Sequence, residues 1–241
     1  MNRHALSCAV KARARDALSG HLPLAVLTNL SCSAVFVFLY LIGVEMNVYS
    51  GIPGFVFSVT IIWSLDAFFG LFSYGLQGIY LGLEYRRPVQ QKDLFAGFSE
   101  NPRQILLMQI FLASLHVSAM LPASWASFFL PPHAGKSQII FAVLFAAGVC
   151  FRLWIRLTYA LSFFLLLDFP RGGAWASLKR SRELMRGYKL TLLYLDLSFL
   201  PYLVPVICTF GIGQLWVSAY MLSARSSFYR ALLAEKTASR G

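Results

Sequence analysis

Four ionisable side chains stand where the surrounding sequence is apolar: Asp66, Arg152, Arg156 and Asp196. Asp196 is the lone charge of LLYLDLSFL, residues 192–200. An isolated charge at the middle of a bilayer costs about 2.5 to 3.5 kcal/mol on insertion scales, so such groups turn inward and pair. Counting inward from the basic ends of their segments at about 1.5 Å per residue puts Asp196 at ~10 Å, Arg156 at ~17 Å, Arg152 at ~23 Å and Asp66 at ~26 Å. Two acids and two bases thus fall at matching levels. Arg152 and Arg156, four residues apart, share a helical face. The expected pairs are Arg152 with Asp66 and Arg156 with Asp196.

Two chemistries fit such a quartet. One is a substrate or proton path, the other a pair of neutralised contacts that set helix register. A polar stripe of Asp66, Gly70, Ser73 and Gln77, with Gln109 and His116 on the next segment, lines an interior in either case, because interhelical hydrogen bonds use the same residues. His116 has no second His, Cys or carboxylate at ligand spacing, so no metal site is expected. No Ser/His/Asp arrangement, HExxH or GK[ST] loop occurs. Neither catalysis nor a cofactor is expected.

The segments that must hold these residues follow from composition. The 241 residues are 58% hydrophobic and 13% charged, against about 45–50% and about 25% in soluble domains. One soluble core cannot hide that excess. Six apolar segments stand out at 22–44, 55–83, 104–122, 138–167, 190–210 and 212–233, each long enough to cross a bilayer core of about 30 Å as a helix. The expected fold is an all-α polytopic membrane protein of six transmembrane helices, a single domain over 1–241. The start, 1–20, carries basic residues without an apolar run, which reads as an amphipathic segment and not a cleaved signal. Cys8, Cys32, Cys150 and Cys208 show no CxxC spacing; the last three fall in apolar segments, where they are expected to pack as small hydrophobes.

Charge sets the orientation. Of the 21 Lys and Arg, 18 lie before the first segment, between the second and third, between the fourth and fifth, or toward the end of the chain, and the opposite connections carry only Lys136. By the positive-inside rule both termini are cytoplasmic. The net charge of +11 then faces anionic headgroups, and no nucleic-acid partner is needed. Short polar or amphipathic stretches ending at Gly20, Gly97 and Gly187 precede the outward-going spans, suggesting three repeated units of surface helix plus hairpin, each glycine closing its helix. In AWASLKRSRELMRG, Trp175, Leu178 and Met185 recur at helical spacing among Lys179, Arg180, Arg182 and Arg186. Such a helix can lie in the interface with its cations on headgroups. Gly78 and Gly82 form GxxxG with Gly75 on the same face, a packing seam within one chain or between two.

The last third carries a more specific pattern. Ser181, Leu184-Met185, Gly187 and Lys189 precede Leu197-Ser198-Phe199; Thr209, Gly211-Ile212-Gly213 and Leu215-Trp216 follow, and then Phe228-Tyr229. This resembles the C-terminal signature of a bacterial membrane family catalogued as domain of unknown function 975. DLFAGF at 93–98 and the N-terminal ARARDAL are similar to its middle motif and opening helix. Departures lie at Pro201-Tyr202, where a Gly-Trp pair is expected, and at Ser218-Ala219, where a Pro is usual before the Tyr matched by Tyr220. The resemblance implies a multi-pass bacterial cytoplasmic-membrane protein and adds no catalytic residue. Two functions remain: an accessory module binding anionic lipids, other membrane proteins or a second copy of itself, and a small transporter built on the charged interior. Reporter fusions at Tyr49, Gly97, Gly135 and Arg180 are expected to alternate outside, inside, outside, inside; any other order defeats the six-span topology.

Overall fold

A computed structural model describes residues 3–45, 51–129 and 135–238, so Tyr49 and Arg240 lie outside the described residues. Every regular element among these is helical. The first three helices are α1 (Arg3–Leu18), α2 (Leu22–Glu45) and α3 (Gly51–Glu84). A 3-10 turn and the short α4 (Ala96–Ser99) lead to α5 (Pro102–Phe129), α6 (Gly135–Thr158), α7 (Ser162–Asp168) and α8 (Gly173–Leu184). The chain ends with α9 (Lys189–Leu197), α10 (Leu203–Cys208) and α11 (Gln214–Ala238).

Among the described residues four stretches are long and apolar enough to cross a membrane: Gly51–Glu84, Pro102–Phe129, Gly135–Asp168 and Lys189–Cys208. Helices α1 and α2, meeting at 96°, add a fifth if taken as one broken span. The segment expected as the sixth span is helical, as α11, but is not among these. Its apolar run is diluted by Arg225, Arg230 and several serines, and Ser223, Ser226, Ser227, Phe228 and Tyr229 are buried by neighbouring protein. Helix α1 lies along it. Ser7, Val10, Ala14 and Leu18, spaced three to four apart, form the buried side of α1, and Ser223 Oγ donates to the Ala14 carbonyl at 3.1 Å.

Local chemistry explains the breaks. The expected fourth segment divides between α6 and α7 at Tyr159–Leu161, where the Thr158 hydroxyl donates back to the Trp154 carbonyl at 2.6 Å. The expected fifth divides between α9 and α10 around a 3-10 turn at Leu200–Tyr202, because Pro201 and Pro205 cannot supply helical N–H donors. The Thr209–Gly213 motif forms the turn into α11, with Gly213 N–H donating to Thr209 Oγ1 at 2.8 Å. Cys32 packs in the core, as expected, but Cys150 and Cys208 face outward.

Of the three glycines expected to close a helix, Gly20 and Gly187 have φ of +84° and +93°. Gly97 does not: it is buried within α4, and a Cβ there would stand 2.2 Å from the Leu71 carbonyl oxygen. Gly75 mirrors it, with the Leu94 carbonyl oxygen 2.0 Å from where its Cβ would be. The DLFAGF loop and the middle of α3 therefore pack backbone to backbone. Gly75→Ala and Gly97→Ala are each expected to lower the melting temperature in detergent, by the ~1–3 kcal/mol typical of overpacking. Gly135→Ala, which meets nothing within 4 Å, serves as the reference; equal melting of all three would refute the close approach.

Candidate functional site

Asp196 is satisfied, by a partner other than the one expected. Arg225 of α11 grips it with Nη2 to Oδ2 at 2.8 Å and Nε to Oδ1 at 3.3 Å. The two side chains are only 18% and 20% exposed. Arg156 stays near enough to interact electrostatically with Arg225 and Asp196, but forms no ion pair with the carboxylate. The expected Arg156–Asp196 pair is thus corrected to Arg225–Asp196. The reason is hairpin geometry. Asp196 precedes Gly211 by 15 residues and Arg225 follows it by 14, so a turn at Gly211 sets them level.

Asp66 and Arg152 are brought to one site without touching. With His116 they border a mainly apolar cleft of about 360 Å³ between α2, α3, α5 and α6. His116 Nδ1 lies 3.6 Å from Asp66 Oδ2, so the histidine, not Arg152, is the neighbour of this carboxylate. The Asp66 carbonyl accepts from Gln109 Nε2 at 3.1 Å. Gln109 reaches it by lying over Gly70, where a Cβ would collide with its side chain at 2.2 Å. Further along the stripe Ser73 is half-buried, and Gln77 Oε1 is buried with no hydrogen-bond partner. Neither borders the cleft.

The glycine seam is filled from within the chain. Gly75 receives the Leu94 carbonyl, Gly78 the Leu167 side chain and Gly82 the Val89 side chain.

A second buried network was not anticipated. Glu84, at the end of α3, accepts from Ser227 Oγ at 2.6 Å and from Arg230 Nη1 at 3.4 Å, while its own carbonyl accepts from Arg230 at 2.7 Å. Beside it, Asp168 Oδ2 accepts from Tyr229 at 2.8 Å and from Tyr85 at 3.2 Å. Burial, with the Asp168 carboxylate close by, raises the Tyr85 hydroxyl above its ordinary pKa. Position at a segment end suggested nothing beyond a boundary for Glu84 and Asp168. The available signal was the run Ser227, Tyr229, Arg230, polar groups at helical spacing.

The helix read as an interface element, α8, points its apolar side inward: Ala174, Leu178, Leu184 and Met185 are buried in the protein. Leu178 and Met185, whose spacing suggested an interface helix, are covered by protein instead. Trp175 instead stands 69% exposed, alongside exposed Lys179, Arg182 and Arg186. These four and Lys189 border a groove of about 740 Å³. Arg180 leaves the group and stacks on the Phe169 ring at 4.3 Å.

The profile of a family described as "Protein of unknown function (DUF975)" matches residues 6–236. No curated protein and no solved structure matches the chain.

If Arg225 is the partner of Asp196, a double-mutant cycle of Asp196→Asn with Arg225→Gln, read by melting in detergent, is expected to show coupling of about 0.5–3 kcal/mol. The cycle with Arg156→Gln is expected to couple less. The reverse ranking would restore Arg156 as the partner.

Proposed function

We propose that this chain, which belongs to the family described as "Protein of unknown function (DUF975)", is a non-catalytic accessory module of a bacterial cytoplasmic membrane, crossing it six times with both ends inside and binding lipids or other membrane proteins. Four long apolar helices support the multi-pass arrangement, as do outward-facing side chains such as Ile139, Val204 and Ile207, the last 75% exposed. Such a surface is costly in water and favourable in hydrocarbon. The accessory role rests on one observation above all: Glu84 and Asp196 are both engaged by arginines of α11. Carboxylates held this way staple helices together and are not available to a moving substrate.

A second reading, a small transporter, is favoured by the cleft that collects Asp66, His116 and Arg152. Water separates the two readings. With the four native cysteines replaced by serine, Val117→Cys and Ser124→Cys on the cleft wall are to be treated in intact membranes with a membrane-impermeant maleimide. The accessory module is expected to label only after solubilisation. Labelling from either aqueous side in the intact membrane would sink that reading and favour transport.

A further inference from the structure

The groove beside α8 combines three features. Lys179, Arg182, Arg186 and Lys189 border it, and Glu183 is the one carboxylate among the lining residues. Its wall is aromatic: the Phe111 ring meets Trp175 at 5.1 Å and Tyr159 at 6.0 Å, edge to face in both contacts. Its cations are mostly uncommitted, for Lys179, Arg182 and Arg186 make no ion pair among the described residues. Lys189 is held in place, donating to Thr158 Oγ1 at 2.7 Å and lying 4.4 Å from the Trp154 ring.

An excess of three positive charges calls for an anion of more than one charge. The row from Lys179 to Arg186 covers about 10 Å at ~1.5 Å per residue, room for two phosphates side by side. Phe111 and Trp175 add a surface suited to glycerol and the first acyl carbons, which a free inorganic anion would leave bare. We propose that this groove binds the headgroup of an anionic phospholipid carrying two phosphates, in preference to one carrying a single phosphate. The proposal rests on the accessory-module reading and names the ligand class it would recognise. Arg182 and Arg186, one turn apart, take the phosphates; Lys179 and Lys189 close the two ends, and Trp175 stands at the interface over the glycerol.

The test titrates the purified, detergent-solubilised chain with cardiolipin, phosphatidylglycerol, phosphatidylcholine or inorganic pyrophosphate, following melting temperature. Cardiolipin is expected to raise it at the lowest concentration, phosphatidylglycerol at higher concentration, and the other two not at all. Arg182→Gln/Arg186→Gln is expected to shift the cardiolipin midpoint roughly 30-fold, at about 1 kcal/mol per basic residue near anionic lipid. Lys179→Gln, a single exposed change, is expected to shift it about fivefold on the same basis; it carries the test if the double variant melts early without lipid. Arg13→Gln/Arg87→Gln, the same loss of charge beside a different groove, is expected to leave the midpoint in place. Equal loss in the two double variants would reduce the effect to bulk charge and overturn the site. Pyrophosphate matching cardiolipin would replace the lipid with a soluble anion, and phosphatidylglycerol matching cardiolipin would remove the two-phosphate preference. A dry cleft with failed lipid binding defeats this inference alone, whereas a cleft that labels in intact membranes defeats the accessory-module reading.

Discussion

Helix α11 meets the buried and half-buried carboxylates of its neighbours. Arg225 holds Asp196 of α9, Arg230 holds Glu84 of α3, and Tyr229 donates to Asp168 of α7. Each carboxylate sits at or in an apolar helix, where leaving it unmatched is far costlier than in water. Because one helix meets all three demands, its register is set by three contacts at once: a slide that kept one would lose the others. Tyr229 adds a packing contact, its ring stacked on Phe164 at 5.4 Å. The signature residues Phe228 and Tyr229 are thus both fully buried, in a helix that other helices enclose.

A second constraint is steric. At Gly70, Gly75 and Gly97 a side chain or carbonyl of the neighbouring element occupies the space a Cβ would need. The loop after α3 folds back onto the same helix through the last two of these contacts, and Asp93 caps it by accepting from the Gln90 N–H at 2.8 Å. The short 91–99 segment is accordingly core structure, with Leu94 almost wholly buried. This arrangement also accounts for the glycine seam, whose faces are taken up by the chain's own loop and by Leu167.

The polar features lie in two environments. Asp66, His116 and Arg152 border a cleft whose walls are mostly apolar, deep along the long helices. The α8 groove lies where helices end, with charged and aromatic side chains exposed together. Electrostatic interactions gain strength where apolar walls limit solvent and are screened where solvent is open to them. A role in binding charged headgroups suits the second, and a role in register or in passage suits the first.

Composition and the length of the apolar runs pointed to long apolar helices, since 58% hydrophobic residues exceed what an ordinary soluble domain carries. The motifs after residue 181 carried the family resemblance. The depth count placed Asp66 and Arg152 at one level, and both border the same cleft, but the contact expected between them is replaced by His116 beside Asp66. Pairing did not follow from level. Which side chain meets Asp196 depends on how hairpins turn and which faces meet, and Arg225 outcompeted Arg156 through a turn whose geometry periodicity does not encode. In the same way, the spacing of Trp175, Leu178 and Met185 marked a two-faced helix but not which face the protein would cover. Glu84 and Asp168 looked like boundaries because their partners lie 146 and 61 residues away. Contacts that distant in sequence exist only once the tertiary structure has closed the intervening loops.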